Sequence, residues 1–380
     1  MKYIDDFRDA SVAKSLANAI ARSVKPDREY KIMEFCGGHT HAIFRYGVQY
    51  LMPDQLTFVH GPGCPVCVLP TGRIDNAIRL ALDNNIIFCT YADMLRVPGS
   101  GRNSLLKAKA EGADVRMVYS TQDALKIARE NVNTQVVFFA IGFETTTPAT
   151  AVALLQAKKE SLKNFSVFCN HVLTPSAIKA ILDSPQETDS VHIDGFLGPS
   201  HVSTVIGSEP YEAVVSEYKK PVVIAGFEPL DVMQSTLMLI EQINSGRYAV
   251  ENEYTRAVTR KGNIKAQALV SEVLEVRSEF EWRGLGMLPR SALKIKSGFS
   301  EFDAEKRFDV PRIVASDVKG CECPSVLRGS KQPTECKLFG KVCVPENPMG
   351  SCMVSSEGAC AAYYSYGRMG KSESKIGVNQ

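Results

Sequence analysis

Short apolar runs alternate with amphipathic segments over most of the chain, from about residue 28 to residue 246. The runs are four to seven residues long, which suits strands, and the segments between them have the spacing of helices with one apolar face. The predicted strands are Lys31 to Phe35, Leu56 to His60, Ile86 to Thr90, Val115 to Tyr119, Gln135 to Ile141, Ser166 to Asn170, Gly195 to Gly198 and Pro221 to Ala225. The predicted helices include Arg73 to Asp83, Thr121 to Glu130, Thr146 to Lys159, Pro175 to Leu182 and Leu230 to Asn244.

This alternation predicts an α/β protein, because parallel strands are joined by crossover helices that cover both faces of the sheet. The strand count fits two parallel-sheet α/β domains, which we place at residues 28–131 and 132–246. A weak internal sequence repeat supports this division into two domains. The segments Ile141 to Glu144 and Ala225 to Glu228 both end in Gly-Phe-Glu, follow a predicted strand and precede a predicted helix.

The rest of the chain, residues 247–380, predicts a third and smaller unit. It begins with a charged, strand-poor segment and ends in a loop-rich stretch with many glycines, prolines and cysteines. Residues 1–27 contain one predicted helix, Ser11 to Ser23, which we expect to pack against this unit.

Charge and hydropathy exclude several classes of function. The net charge is only +2 and acids and bases are mixed along the chain, so no basic stripe is present to bind nucleic acid or an anionic membrane. The first ten residues carry three aspartates where a signal peptide needs an apolar core, and the longest uncharged apolar run, Val136 to Phe143, is too short to span a bilayer. We therefore expect a cytoplasmic protein, in which the eleven cysteines serve as metal ligands or redox-active thiols.

Six of the cysteines lie in one forty-residue window: Cys321, Cys323, Cys336, Cys343, Cys352 and Cys360. Paired Cys-x-x-Cys knuckles, which zinc sites usually show, are absent from this window. Irregular, glycine-rich and proline-rich spacing suits an iron-sulfur cluster better, and four spread-out cysteines favour the 4Fe-4S type. Zinc, disulfides and free core thiols remain as alternatives.

Two further cysteine motifs follow neighbouring predicted strands. Cys36 opens the sequence Cys-Gly-Gly-His-Thr-His, which exposes a thiol beside His39 and His41. Cys64 and Cys67 form a Cys-Pro-Val-Cys turn, whose spacing suits a reversible disulfide or two thiolates on one metal. Ligands bind beyond the carboxyl ends of the strands in an open parallel sheet, so Cys36 is a candidate nucleophile or soft-metal ligand.

Other residues at predicted strand ends are weaker candidates for the same cleft. Glu144 and Thr145 follow a strand, although a helix start with its preference for threonine and acids explains them equally well. His171 and His201 also lie near strand ends. Cys89 and Cys169 lie inside apolar strands and are expected to be buried as small hydrophobic residues.

Four motifs together resemble those of the HypD family of hydrogenase maturation proteins. They are Cys36 to His41, Gly61 to Cys67, Gly142 to Thr146 and Gly350 to Cys360, and the resemblance covers essentially the whole chain in order. It implies a scaffold and redox partner, rather than a conventional turnover enzyme, for assembly of the Fe(CN)2CO centre of nickel-iron hydrogenases. The implied partners are a HypC-type chaperone, which holds the iron together with this chain, and a HypE-type protein that donates cyanide. The chain would act as a monomer within that heteromeric complex.

Carried onto this sequence, the resemblance makes Cys36 the iron ligand, with His39 as its neighbour and Cys64 and Cys67 as a thiol pair facing the same cleft. A soft thiolate suits iron that carries strong-field ligands. His41, Glu144 and Thr145 are possible further residues of this cleft.

The cluster region of the family resembles that of ferredoxin:thioredoxin reductase, in which four thiolates hold a 4Fe-4S cluster and two more form a redox pair. This implies Cys336, Cys343 and Cys360 as ligands. The fourth ligand is Cys323 or Cys321, and the other of these two pairs with Cys352. A proline after Cys323 favours it as the ligand.

Three other functions remain open from the sequence. A stand-alone iron-sulfur thiol-disulfide reductase would use the same cysteines. A dehydratase would leave one iron without a thiolate and would not account for all six cysteines of the window. A zinc-stabilised interaction protein would have no redox role.

Overall fold

The computed structural model describes residues 4–83, 85–183 and 192–367. Its strands are β1 Tyr30–Glu34, β2 Leu56–His60, β3 Ile87–Thr90, β4 Asp114–Met117, β5 Val136–Gly142, β6 Phe165–His171, β7 Gly195–Gly198, β8 Val222–Ile224, β9 Val250–Asn252, β10 Leu274–Val276, β11 Glu279–Trp282, β12 Gly286–Pro289 and β13 Leu293–Ile295. Its α-helices are α1 Ala10–Ser23, α2 Gly37–Arg45, α3 Pro65–Val68, α4 Thr71–Asp83, α5 Leu105–Ala110, α6 Thr121–Glu130, α7 Thr147–Lys159, α8 Thr174–Leu182, α9 Ser200–Ile206, α10 Glu212–Tyr218, α11 Pro229–Ser245, α12 Ile264–Val273, α13 Ala304–Arg307, α14 Cys323–Leu327 and α15 Ala359–Tyr366.

Two parallel sheets form the body of the molecule. The first has the strand order β2-β1-β7-β8-β9 and the second has the order β4-β3-β5-β6. Every residue of β5 and β6 is buried, as expected for parallel strands that are covered by helices on both faces. The predicted α/β class with two parallel sheets is confirmed.

The chain visits the sheets in an order that the sequence does not reveal. It leaves the first sheet after β2, builds all four strands of the second, and returns at β7, which pairs with β1. The division predicted near residue 132 therefore runs through the second sheet, between β4 and β5. The predicted strands and helices themselves match the observed ones to within two residues at each end.

The segment after residue 246 contains more strands than predicted. The strand β9 adds a half-buried edge to the first sheet, and β10 to β13 form two antiparallel pairs. These strands are three or four residues long and contain no long apolar run, so the sequence pattern did not indicate them.

The N-terminal helix α1 packs against α11 rather than mainly against the cysteine-rich unit, contrary to expectation. Ile20 of α1 belongs to the same buried apolar cluster as Leu239 and Ile240 of α11. Asn244 closes the contact, because its amide donates to the carbonyl oxygen of Ser23 at 2.6 Å. The apolar face of α1 therefore completes the core on one face of the first sheet.

The cysteine-rich segment packs on the helices that follow β1 and β2. The helix α15 contacts α2, while α14 and the short 3-10 helix Ser351–Met353 contact α3. This arrangement brings the C-terminal cysteines next to the two loops that carry Cys36 and Cys64.

Candidate functional site

The loops that carry Cys36 and Cys64 lie side by side at the carboxyl ends of two neighbouring strands. β1 and β2 pair in parallel, and Glu34 stands opposite His60 at their ends. Cys36 caps the start of α2, and Cys64 caps the start of α3. The Gly37 amide donates to the Gly63 carbonyl oxygen at 3.1 Å, so the two loops are joined directly.

Gly37 lets the C-terminal segment approach Cys36. A Cβ atom at position 37 would lie 2.7 Å from the carbonyl oxygen of Glu357, which is shorter than any such contact in a relaxed structure. The absence of a side chain at position 37 therefore allows residues 355–357 to close one side of the site.

A cleft of about 440 Å³ opens beside Cys36. Cys36 is only 7% exposed, and the cleft lies between the first sheet, the second sheet and the C-terminal segment. Its polar wall is formed by Cys36, Tyr91, Asp93, Tyr119, Thr145, Thr146, His201, Ser355, Ser356 and Glu357.

Burial raises the pKa of the Cys36 thiol, and the nearby carboxyl of Glu357 raises it further. The backbone N–H groups of Gly38 and His39, at the start of α2, act in the opposite direction but are outweighed. The free protein therefore holds Cys36 as a protonated thiol at neutral pH. A metal ion in the cleft would have to displace that proton.

Cys64 and Cys67 form a disulfide. The sequence left open whether these residues form a disulfide or bind a metal, and the structure has the oxidised pair. The turn is joined to the C-terminal segment through Ser351, whose hydroxyl donates to the Cys67 carbonyl oxygen at 3.0 Å. The Cys67 sulfur lies 4.0 Å from the Ser351 carbonyl oxygen, so the disulfide borders the residue that precedes Cys352.

His39 is fully buried on α2 behind Cys36. Its Nε2 atom lies 3.1 Å from both the Ser200 hydroxyl and the Ala225 carbonyl oxygen, and its ring packs on Phe227. Burial lowers the pKa of the imidazole, so His39 is neutral. In this structure it joins α2 to the ends of β7 and β8 rather than forming part of the cleft wall.

A second pocket of about 320 Å³ adjoins the cleft and contains His41. The two share His201, Ser356 and Glu357. The second pocket also contains Arg8 and Arg45. The prediction that His41 lines the main cleft therefore differs from its observed place in this adjoining pocket.

Glu144 and Thr145 point in different directions. Thr145 is part of the cleft wall, whereas the Glu144 carboxyl is buried and accepts hydrogen bonds from the amide (2.9 Å) and hydroxyl (3.0 Å) of Thr174. Burial raises the pKa of Glu144 to about 7. The structure thus brings Thr145 to the cleft and places Glu144 just behind it.

Five of the six C-terminal cysteines surround one small cavity, together with Val326, Leu338, Phe339 and Met353. They are Cys321, Cys323, Cys336, Cys343 and Cys360. The sixth, Cys352, is fully buried beside this group, and its thiol contacts those of Cys323 and Cys360. In the described part of the chain, no three His, Cys, Asp or Glu side chains are arranged as ligands of a single metal ion.

Gly350 allows the thiols to gather closely. A Cβ atom at this position would lie 2.6 Å from the Cys323 sulfur and would also overlap the Cys321 sulfur. Met349 adds a hydrogen bond from its backbone amide to the Cys343 sulfur at 3.4 Å. The backbone of residues 349–350 therefore forms one side of the thiol group.

Sequence reasoning missed three polar residues around Cys36. Glu34 accepts a hydrogen bond from the Cys36 amide, and Asp93 and Glu357 place carboxyl groups in the cleft wall. Glu357 lies inside the predicted Gly350 to Cys360 motif, which could have identified it. Glu34 and Asp93 carry no signal of their own, because each is a single acid next to an apolar run.

Across the described residues, no helix is both long enough and apolar enough to cross a membrane.

Comparison with known proteins gives a consistent result. The model of the HypD family, described as "Hydrogenase formation hypA family", matches residues 11–367. A protein of Cupriavidus necator called hydrogenase maturation factor HypD is 62% identical over 370 residues, which cover 97% of this chain and 98% of that protein. The Azotobacter vinelandii protein of the same name is 60% identical (97% of both chains), and that of Escherichia coli is 45% identical (96% of this chain, 98% of that protein).

Proposed function

Because the chain belongs to the HypD family, we propose that it is a maturation factor for nickel-iron hydrogenases. It would act with a HypC-type chaperone as the scaffold on which iron receives cyanide and carbonyl ligands, and a HypE-type protein would donate the cyanide. The observation that carries the proposal is the position of Cys36. Its thiol lies in the wall of a cleft bordered by the Cys64–Cys67 turn and the C-terminal cysteine segment.

Cys36 is the proposed ligand of the iron cargo. A thiolate is a soft ligand that suits iron with strong-field cyanide and carbonyl ligands. Burial keeps the free thiol protonated, so iron binding at Cys36 releases one proton. The carboxyl group of Glu357, whose pKa is raised by burial, lies in the same wall to receive it. The cleft volume of about 440 Å³ leaves room for the small ligands and for a segment of the partner.

The Cys64–Cys67 pair is the proposed electron donor for cyanide transfer. In its dithiol form it would cleave a protein thiocyanate: the sulfur-cyanide bond breaks, a Cys64–Cys67 disulfide forms, and the donor is released as a thiol. Two thiol protons are given up, of which one goes to the donor sulfur and one to solvent. Cyanide leaves with the electron pair of the broken sulfur-cyanide bond and binds iron through that pair. The disulfide in the structure corresponds to the product of this step.

The C-terminal thiols fit a 4Fe-4S cluster by their chemistry. Such a cluster takes four thiolates, and five cysteines surround one cavity with apolar neighbours. We propose Cys336, Cys343 and Cys360 as three of its ligands. The contact of Cys352 with Cys323 favours Cys321 as the fourth and Cys323 as the partner of Cys352, the second of the two assignments open from the sequence.

A bound cluster would supply the electrons that return the Cys64–Cys67 disulfide to its dithiol. The residues that lie between them support this role. Cys352 follows Ser351, and the Ser351 hydroxyl is hydrogen-bonded to the Cys67 carbonyl oxygen. The buried Cys323–Cys352 pair is therefore connected to the Cys64–Cys67 disulfide through one continuous set of contacts.

This transfer of electrons from the cluster through Cys352 to the Cys64–Cys67 disulfide, the relay, is tested by Cys352→Ser. The variant should keep the absorption of the cluster at about 400 nm but transfer less cyanide to iron than the parent protein, with Cys89→Ala, a buried thiol outside both sites, as the control. Unchanged cyanide transfer in Cys352→Ser would rule out the relay. Cys321→Ser should lose the cluster absorption, and retention of it would restore Cys323 as the fourth ligand.

The disulfide beside a group of thiols also favours a second candidate, a stand-alone iron-sulfur thiol-disulfide reductase. Such an enzyme would turn over a disulfide substrate with the chain alone, without the chaperone or the cyanide donor. Steady reduction of a small disulfide under these conditions, lost in Cys64→Ser but retained in Cys36→Ser, would favour the reductase over the scaffold.

A further inference from the structure

We propose that Glu34 is a positioning residue, whose buried carboxylate holds the Cys36 loop and the Cys64–Cys67 turn in a fixed relation to each other. The inference rests on the proposed roles of those three cysteines. Glu34 makes no hydrogen bond to a sulfur atom, because its partners are backbone and side-chain donors around the thiols. Its charge is one of the smaller causes of the raised pKa of Cys36, after burial.

Glu34 is the last residue of β1 and is 1% exposed. Its Oε2 atom accepts a hydrogen bond from the Cys36 amide at 3.0 Å. Its Oε1 atom accepts one from the Thr40 hydroxyl and lies 2.8 Å from His60 Nδ1. A carboxylate can only accept, so Nδ1 of His60 carries the proton in this contact.

The three donors belong to two separate loops. Cys36 and Thr40 lie at the start of α2, whereas His60 ends β2 and leads directly into the turn with Cys64. The main chain supports the same connection, since the Gly61 amide donates to the Glu34 carbonyl oxygen at 2.9 Å. One side chain therefore connects the two loops at the point where each leaves its strand.

A carboxylate satisfies all three donors at once. Its two oxygen atoms offer several acceptor sites, and hydrogen bonds to a charged acceptor are stronger than neutral ones. A glutamine has one acceptor oxygen, so it could keep all three contacts only if the Thr40 hydroxyl or the His60 ring changed from donor to acceptor. It would also lose the charge that strengthens each hydrogen bond. Glu34→Gln should therefore free one loop from the other while changing the volume very little.

The test uses the metal-free protein and measures the chemistry of the cysteines in each of the two loops. The readouts are the rate at which iodoacetamide alkylates reduced Cys36, and the equilibrium of the Cys64–Cys67 pair with glutathione, each followed by mass spectrometry. In Glu34→Gln we expect Cys36 to react about tenfold faster, since a lost charge-assisted hydrogen bond corresponds to about that factor. We also expect the disulfide equilibrium to shift about fivefold or more toward the dithiol.

Thr40→Val is the matched control, because it removes one donor but leaves the contacts with Cys36 and His60. It should leave both readouts within about twofold of the parent protein. A lower melting temperature of Glu34→Gln with both readouts unchanged would overturn the proposal, since it would indicate a role in stability alone. A change at Cys36 without one at the disulfide would overturn it as well.

If Glu34→Gln does not fold, His60→Leu decides the question. It removes the contact with the second loop and keeps that with Cys36, so the disulfide equilibrium should shift toward the dithiol, and an unchanged equilibrium would overturn the proposal. None of these measurements involves iron, cyanide or a partner, so failure of the assembly function and failure of this inference give separate results.

Discussion

Burial and local contacts set the protonation of the thiols. Burial raises the pKa of Cys36, whereas contact with the Cys323 thiol lowers the pKa of Cys321 to about 7. At neutral pH Cys36 is therefore held as the less reactive protonated thiol, while a larger fraction of Cys321 is the reactive thiolate in the metal-free chain.

The order of alkylation in metal-free, reduced protein follows from this contrast. At pH 7.5 iodoacetamide should label Cys321 before Cys36. Cys89 and Cys169 should react last, because they are 0% and 1% exposed inside strands whereas Cys36 borders the cleft. Mass spectrometry of peptides taken over time gives the order. Labelling of Cys36 ahead of Cys321 would contradict this difference in protonation.

Glu144 should make stability depend on pH. Its pKa is raised to about 7 in the folded protein from an ordinary value of 4.5, so the folded state binds the proton more tightly than the unfolded state. Stability is therefore lost as the pH rises from about 4.5 to 7. Glu144→Gln abolishes this loss, and its free energy of unfolding relative to the parent should increase from pH 5 to pH 8 by up to about 3 kcal/mol.

Denaturant unfolding at the two pH values measures the effect. A constant difference between Glu144→Gln and the parent protein would show that Glu144 has no raised pKa.

The cysteines of the site could be predicted from the sequence, and Glu34 could not. Cys36, Cys64 and Cys67 lie in motifs whose glycines and spacing are visible along the chain. The partners of Glu34 are 2, 6 and 26 residues away, and only the pairing of β1 with β2 brings them together. Long-range hydrogen bonds of this kind leave no local pattern.

At the scale of elements, close backbone approach determines how the C-terminal segment meets α2. Gly37 at the first position of α2 packs against the backbone of Glu357. The helix start and residues 355–357 can therefore both line the cleft, which a larger residue at position 37 would prevent.

Gly37→Ala should lower the free energy of unfolding by about 1–3 kcal/mol, because the added methyl group overlaps the Glu357 backbone and one of the two segments must move. Gly298→Ala is the matched control, since an added Cβ there meets nothing within 4 Å, and it should stay within about 0.5 kcal/mol of the parent. Equal denaturation midpoints for the two variants would contradict the close contact.

Most elements could be predicted because their apolar runs are fully buried. The strands β5 and β6 show this best, with every residue inside. The edge strand β9 was missed because its three residues are only half-buried, and a short edge strand needs no apolar run. The packing of α1 on α11 was missed because an amphipathic face indicates burial but does not identify the partner.

At the scale of the whole molecule, one buried arginine connects the disulfide turn with the cysteine-rich segment. The Arg283 guanidinium donates to the Leu69 carbonyl oxygen at 3.1 Å and forms an ion pair with Asp317. Its backbone amide donates to the Val68 carbonyl oxygen at 2.7 Å. The end of α3 and the segment that leads to Cys321 are thus held on the same side chain.

Arg283→Met should loosen this connection and lower the free energy of unfolding by about 2–4 kcal/mol, because the Leu69 carbonyl oxygen loses a side-chain donor and Asp317 keeps only its hydrogen bond from the Thr71 hydroxyl. Limited proteolysis should cut faster within residues 309–320. Arg312→Met, which removes an exposed arginine of the same segment, is the control and should behave as the parent. Identical cleavage rates in both variants would show that Arg283 does not hold the segment.

The order of strands could not be predicted at this scale. Nothing local to β1 indicates that β7, about 165 residues further along the chain, is its neighbour. The domain boundary predicted near residue 132 therefore groups the strands by their order in the chain and not by the sheet to which they belong. The family resemblance supplied the proposed chemistry of the thiols, and the structure places Cys36 in the wall of one cleft and five C-terminal cysteines around a separate small cavity.

The most direct test of the account is infrared spectroscopy of the anaerobic complex formed with a HypC-type chaperone and a HypE-type cyanide donor. The parent protein and the Cys89→Ala control should show cyanide and carbonyl bands of ligands bound to iron, and Cys36→Ser should show none. Equal bands in Cys36→Ser, or no bands in the parent protein with its cluster intact, would contradict the claim that Cys36 holds the iron during assembly.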